Sequence, residues 1–132
     1  MNQTLKNLDP LFFILGRSLL GLYFIGPGIM KITGYAGTLA LMQSKGVPLA
    51  ELLLPLTIVI QIGLGAMLIA GKQLRVSALL LFGLVMLINI FIHNFWSMQG
   101  EPGYAHEMQN FIKNLGIAAG LLVLSTKQAD IE

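Results

Sequence analysis

At 132 residues the chain is long enough for one domain, predicted to span residues 1–132. Hydrophobic residues make up 55% of it and charged residues 11%, so its polar share is too small to surround a soluble core of this size. The net charge of +2 without a basic cluster argues against nucleic-acid binding, and the absence of cysteine excludes disulfides and thiolate-ligated metal centres.

Four apolar segments follow one another, each close to the ~20 residues that an α-helix needs to cross a bilayer. They are residues 11–30, 52–70, 76–92 and 108–124. The last segment opens with polar residues, which places its start at the membrane interface. The predicted fold is therefore all-α, an integral membrane bundle of four transmembrane helices.

The connections between these segments differ in character. Residues 36–44 predict a short interfacial helix between the first two spans, ended by Gly46. Residues 71–75 predict a tight basic turn, and residues 94–107 predict a loop with Trp96 as an aromatic anchor.

Lysine and arginine near the span ends predict the orientation, because cytoplasmic loops are enriched in both residues. One side carries Lys6, Arg17, Lys72, Arg75 and Lys127, and the other side carries Lys31, Lys45 and Lys113. This distribution favours a cytoplasmic location for both termini.

Polar and small residues recur at helical spacing in every span, so each set occupies one helix face. The sets are Arg17, Gly21, Phe24, Gly28 and Lys31; Thr57, Gln61, Gly65 and Leu68; Phe82, Met86, Asn89, His93 and Trp96; and Gln109, Lys113, Gly116 and Gly120. Since small residues allow close helix approach and polar groups avoid lipid, every stripe is expected to face the bundle interior. The rise per residue predicts two polar layers, one near mid-membrane with Arg17 beside Gln61 and one at the outer mouth.

Polar groups at a membrane boundary are functional candidates because they are costly without partners. The candidate ligand-binding residues are Arg17, Lys31, Gln61, Asn89, His93, Trp96, Gln109, Lys113 and Asn114. His93 is the candidate proton donor, since histidine side chains exchange protons near neutral pH. Glu51 and either Glu101 or Glu107 are the expected counter-charges at the outer mouth.

Several of these residues also have a structural interpretation. Arg17 can pair with Gln61 or extend to lipid phosphate, and His93 can be a satisfied interfacial histidine. Trp96 can act as an interface anchor, and Lys113 can extend outward to water. A haem or metal site is disfavoured because the chain has only two histidines and no accompanying carboxylate cluster. No intrinsic cofactor is expected.

A series of short motifs runs from about residue 11 to residue 124. It comprises Gly16-Arg17, Gly28 with Lys31, Ala36-Gly37-Thr38, Gly46-Val47-Pro48, Gly63 with Gly65, Gly71 with Arg75, and His93-Asn94-Phe95-Trp96 followed by Gln109, Phe111 and Lys113-Asn114. In these motifs the chain resembles the DoxX family of small bacterial membrane proteins. It departs from many members at Gln61, where they carry a glutamate, and an amide cannot serve as a charged relay.

The resemblance implies a multi-pass protein of the bacterial inner membrane that is associated with a membrane oxidoreductase system. Family members include a subunit of a thiosulfate:quinone oxidoreductase and components tied to thiol and superoxide stress. We therefore predict a membrane subunit of a quinone-linked or redox-stress system that binds a quinone or a small anion near the outer face. Lys113 and Arg17 would supply positive charge, His93 would transfer a proton, and Trp96 would pack on the ring.

The expected partners are membrane lipid, an oxidoreductase partner subunit and further copies of the chain. Without a redox centre in the sequence, electrons would come from a bound quinone or from a partner protein, and catalysis by the chain itself stays open. Two alternatives from other classes are a non-enzymatic membrane scaffold or assembly protein and a permease for a small solute.

Overall fold

A computed structural model describes residues 2–127, and the regular structure in that part of the chain is helical. The elements are α1 (Asn2–Asn7), α2 (Asp9–Thr33), α3 (Tyr35–Ser44), α4 (Ala50–Ala70), α5 (Leu74–Phe91), a 3₁₀ turn (Phe95–Ser97) and α6 (Tyr104–Leu124). The predicted all-α class is confirmed for the described residues.

Three stretches are long and apolar enough to cross a membrane, namely Asp9–Thr33, Ala50–Ala70 and Leu74–Ser97. These candidate spans coincide with three of the four predicted ones. Helix α6 is as long as α4, but its first half carries Gln109, Asn110, Lys113 and Asn114, which lowers its hydropathy. The crossing of α6 and the interfacial position of α3 therefore stay predictions.

Glycines in the left-handed region end two of the helices. Gly46 (φ +76°) follows α3, and the amide of Val47 donates to the Met42 carbonyl at 3.0 Å, which closes a Schellman motif. Gly71 (φ +75°) ends α4 in the same conformation and begins the tight turn to α5. The short helix therefore ends at Gly46 and the tight turn begins at Gly71, as the sequence predicted.

Helices α2 and α4 form the tightest pair in the bundle. A Cβ atom on Gly21 would lie 2.5 Å from the Gly65 carbonyl oxygen, and one on Gly65 would lie 2.8 Å from the Gly21 oxygen. The two backbones are therefore in direct contact, as small residues permit in membrane bundles. Helix α5 packs on α4 and α6, and the apolar core includes Leu68, Leu81 and Leu121.

The stripes of α2 and α4 face inward as predicted, but the interior placement of the α6 stripe is wrong. Gln109 and Lys113 are exposed, and a Cβ on Gly116 or Gly120 would meet open space. The inward face of α6 instead runs through Asn114, Ala118 and Leu121. Adjacent residues on a helix differ by about 100° in direction, so this change of one position turns the polar face outward.

The α5 stripe is also shorter than predicted, because the helix ends at Phe91. Asn89 is completely buried, whereas His93 lies just beyond the helix and Trp96 lies on the exposed 3₁₀ turn.

The positive charges are unevenly divided between the two ends of the bundle. Lys6 precedes α2, Arg17 lies against Gly71 at the end of α4, and Arg75 donates to the Ser125 carbonyl after α6. This end, which also holds Lys72 and Lys127, is called the basic end below. The opposite end, where α2 ends and α4 begins, is called the cavity end.

Candidate functional site

The cavity end holds a cavity of about 470 Å³ lined by residues of α2, α3, α4 and α5 and by the two residues that follow α5. Most of its wall is apolar and comes from Pro27, Met30, Leu41, Met42, Leu54, Ile88 and Ile92. Four polar side chains complete the lining, those of Lys31, Thr38, Thr57 and His93. A volume of this size with few polar groups on an apolar wall is typical of small-molecule sites.

A second cavity of about 330 Å³ adjoins the first and shares Met42, Thr57, Ile88 and Ile92 with it. The rest of its wall is apolar and includes Leu56 and Leu87. Both leucines are more than half exposed on the outer surfaces of α4 and α5, so this cavity lies at the surface that would face lipid. The polar side chains are therefore concentrated in the first cavity, and the second cavity is apolar apart from the shared Thr57.

The direction of α2 explains why Lys31 lines the cavity. Side chains on an α-helix lean toward its N-terminus, and Lys31 lies in the last turn of α2, so its chain leans back into the bundle. One turn earlier, Pro27 has no N–H and leaves the Tyr23 carbonyl without its usual helical donor. The proline ring forms part of the wall in the place of a longer side chain.

His93 is held by a carboxylate on α6. Its Nδ1 atom lies 3.3 Å from Oε1 and 3.4 Å from Oε2 of Glu107. The same carboxylate accepts a hydrogen bond from Asn110 Nδ2 at 3.0 Å and lies 3.7 Å from Lys45 Nζ. Lys45 also donates to Asn94 Oδ1 at 3.2 Å. These five residues form the Glu107 cluster, which ties the end of α3 and the end of α5 to the start of α6.

The charge of Glu107 is stabilised where it lies. Partial burial raises the pKa of its carboxyl, but the Asn110 hydrogen bond and the interactions with His93 and Lys45 outweigh burial and leave the pKa below its ordinary value of 4.5. Of the predicted counter-charges, Glu107 is thus confirmed as the partner of His93. Glu51 instead accepts a hydrogen bond from Gln43, and the side chain of Glu101 is exposed.

A lowered carboxyl pKa makes stability dependent on acid. The contribution of Glu107 is complete above its unfolded pKa and is lost as the pH falls through its lower folded pKa. We expect Glu107→Gln to lower the free energy of unfolding at neutral pH by about 1–2 kcal/mol and to reduce its decline in acid. Detergent-solubilised protein unfolded over a pH series measures both effects. Glu101→Gln is the matched control, and an equal change in that variant would contradict the role of the cluster.

The middle of the bundle contains a directed chain of hydrogen bonds. Tyr23 Oη donates to Asn114 Oδ1 at 2.8 Å, Asn114 Nδ2 donates to Asn89 Oδ1 at 3.0 Å, and Asn89 Nδ2 donates to the Phe111 carbonyl at 3.1 Å. Neither asparagine lines the cavities. Because their side chains are partnered by protein groups, this chain joins α2, α5 and α6 structurally.

Gln61 and Arg17 are not brought together. Gln61 is 3% exposed and donates from Nε2 to the Phe24 carbonyl at 3.2 Å. Arg17 extends toward the basic end, where its Cζ atom lies 4.9 Å from the centre of the Phe13 ring. The predicted pairing of Arg17 with Gln61 is therefore wrong, since the lean of side chains toward the start of α2 carries the guanidinium away.

The remaining candidates lie outside the cavities. Trp96 is 48% exposed and makes edge-to-face contacts with Phe95 and Phe111. Gln109 and Lys113 are exposed on α6. Of the predicted ligand-binding residues, Lys31 and His93 are the two that line the same cavity.

Sequence reasoning missed two residues that hold the helices around the site together. Tyr23 gave no signal beyond being an aromatic residue in an apolar span. Lys45 was considered only as one of the positive charges near the span ends. Its position directly before Gly46 places it at the end of α3. The predicted short helix at residues 36–44, which became α3, was the one feature of the sequence that could place Lys45 near α6.

The DoxX family model matches residues 12–94. The chain is 33% identical to the Escherichia coli K12 inner membrane protein YqjF over 123 residues, covering 92% of this chain and 87% of that protein. It is 28% identical to the inner membrane protein YphA of the same organism over 128 residues, covering 93% and 91%. No solved structure matches. Every residue that lines the first cavity lies within residues 12–94, whereas Glu107 lies beyond them.

Proposed function

We propose a quinone-binding role for this chain, which belongs to the DoxX family and is a multi-pass protein of the inner membrane. In this role it is the membrane subunit of a quinone-linked oxidoreductase system. The quinone headgroup lies in the first cavity beside Lys31 and His93, and the isoprenoid tail follows the second cavity toward lipid. The observation that supports this role is the shared wall between a cavity with polar groups and an aliphatic one.

The polarity of the two cavities favours a quinone over a small anion. A small anion would be held by Lys31 and would leave the aliphatic cavity without a function. A molecule with a polar ring and a hydrocarbon tail fits both compartments, and burial of each tail methylene contributes about 0.8 kcal/mol.

His93 and Lys31 have complementary roles in this site. With Nδ1 directed at Glu107, the ring presents Nε2 as the nitrogen for a headgroup oxygen. A neutral ring accepts a proton there and a protonated ring donates one, while the Glu107 carboxylate stabilises the charged ring. Lys31 donates a hydrogen bond to the headgroup. A bound quinone would supply the two-electron, two-proton chemistry, and a partner subunit would supply or receive the electrons.

The same proposal includes the membrane topology. Helix α6 crosses as a fourth span, because Asn114 and Tyr23 satisfy each other inside the bundle and the second half of α6 is apolar. The basic end faces the cytoplasm, as the excess of lysine and arginine favours, and the cavity end faces the opposite side.

The experiment is a binding titration of the full chain in mild detergent with a short-tailed ubiquinone analogue. We expect His93→Phe and Lys31→Met each to weaken binding by about tenfold or more, since each removes a hydrogen bond from a partly buried site. Lys113→Met is the matched control, because it removes an exposed lysine of the same charge from outside both cavities. We expect binding to tighten with each added tail carbon in the native chain.

Equal binding by the native chain and by both cavity variants would contradict the site, as would an equal loss in Lys113→Met. Independence from tail length would remove the second cavity from the site. If the folded native chain binds no quinone analogue, the quinone role is wrong and the scaffold alternative becomes the better explanation.

A further inference from the structure

The basic end contains a groove that the quinone role does not use. It has a volume of about 240 Å³ and runs between α2 and α6. Its apolar floor is formed by Phe13, Gly16, Leu20, Gly120 and Val123. An extension of about 300 Å³ shares Phe13, Arg17 and Lys127 with the groove and borders Asp9.

Two positive charges converge at the mouth of this groove. Arg17 Cζ lies 4.9 Å and Lys127 Nζ lies 4.7 Å from the centre of the same Phe13 ring. Within residues 2–127 neither cation has a carboxylate within 4.0 Å, and the buried Arg17 Nε has no hydrogen-bond partner. Two like charges on one ring repel each other, so an anion placed between them stabilises both.

The floor of the groove indicates what kind of anion fits. Gly16 and Gly120 have no side chains to fill the groove, a Cβ on either would meet open space, and the lining around them is almost entirely hydrocarbon. A free phosphate would use the two cations and leave this floor empty. A phospholipid places its phosphate at the mouth and an acyl chain along the floor.

We propose that this groove binds an anionic phospholipid, with its phosphate between Arg17 and Lys127 and one acyl chain against Gly16, Leu20 and Gly120. Phe13 supports both cations through their contact with its ring. Asp9 lines the extension and repels an anion there, which favours a position for the phosphate in the groove itself. The site is at the opposite end of the bundle from the cavities and does not depend on the quinone role.

Native mass spectrometry of the full chain with phosphatidylglycerol and with phosphatidylcholine tests this site. Since a positive charge near a membrane surface contributes about 1 kcal/mol, we expect Arg17→Gln or Lys127→Gln to weaken phosphatidylglycerol binding about fivefold. The double variant is expected to weaken phosphatidylglycerol binding about thirtyfold. It is expected to weaken phosphatidylcholine binding much less, because the choline cation of that lipid offsets its phosphate. The control is Lys6→Gln with Lys72→Gln, which removes the same charge from the same end outside the groove.

A second pair of variants tests the groove without changing charge. Gly120→Leu fills the floor at a position where the fold has space, and we expect it to weaken phosphatidylglycerol binding about tenfold. Gly116→Leu lies on the same helix outside the groove and is expected to have no effect.

Four results would overturn the proposal. The first is an equal loss in the Lys6/Lys72 control, which would indicate general attraction to the basic end. The second is displacement of bound phosphatidylglycerol by inorganic phosphate at concentrations as low as those at which free phosphatidylglycerol displaces it. The third is an equal effect of Gly116→Leu and Gly120→Leu. The fourth is loss of lipid binding only together with loss of a dimer, which would make a second copy the occupant.

Discussion

Gly65→Ala is expected to lower the free energy of unfolding by about 2–3 kcal/mol, although it adds only one methyl group. The added Cβ would lie 2.8 Å from the Gly21 carbonyl oxygen and 2.9 Å from Ile25 Cγ1. A backbone oxygen cannot rotate away as a side chain can, so α2 and α4 must move apart along the tightest contact of the bundle. Titration with a denaturing detergent, followed by far-ultraviolet circular dichroism, measures the change.

Gly63→Ala is the matched control for this prediction. It makes the same substitution on the same helix, at a position where the new Cβ meets open space. Alanine favours a helix over glycine by about 1 kcal/mol, and both variants gain that term equally. The difference between them therefore reports the contact with Gly21, and equal stabilities would show that the two backbones are not in contact.

Asn89→Leu is expected to lower the free energy of unfolding by about 2 kcal/mol. Asn89 is completely buried, and its loss leaves Asn114 Nδ2 without a hydrogen-bond partner inside the bundle. Leucine has the same number of heavy side-chain atoms with the same branching and leaves no void, so the main cost is the unpartnered amide. The same detergent titration gives the magnitude.

A triple variant separates this explanation from a general loss of packing. Tyr23→Phe and Asn114→Leu added to Asn89→Leu remove every side chain of the directed chain, so no polar partner is left behind. We expect the triple variant to be more stable than Asn89→Leu alone, because complete removal of a buried polar network costs less than partial removal. If the loss of unfolding free energy in the triple variant equals the sum of the losses in the three single variants, the three side chains do not form a coupled network.

Hydropathy was sufficient to predict where the helices run. The predicted spans at 52–70 and 108–124 end at the same residues as α4 and α6, because Gly71 follows the first apolar run and the polar residues 125–127 follow the second. The inward face of a helix was predictable only where the polar residue on it had no polar neighbour in the sequence. On α6, Lys113 and Asn114 are adjacent and both polar, and the sequence offered no physical reason to prefer the shorter amide for the interior.

The site was predictable in part for a similar reason. Lys31 and His93 lie near span ends that must share one side of the membrane, so their proximity follows from topology. Arg17 was misplaced because its depth was estimated from the position of its backbone, whereas a long side chain extends several ångströms toward the start of its helix. The position of Lys45 depends on the direction in which α3 runs, and the spacing of apolar residues does not predict that direction.

The Glu107 cluster also has a consequence for the order in which the protein is built. A chain leaves the ribosome from its N-terminus, so α2 to α5 and every lining residue of the first cavity are synthesised before Glu107. Until then Lys45 and His93 lack their carboxylate, and the walls are present without the ion pair that holds α3 against them. The last helix to be translated therefore completes the site. A chain on a ribosome stalled before α6 would lack the contacts of Glu107 with Lys45 and His93 at the cavity end.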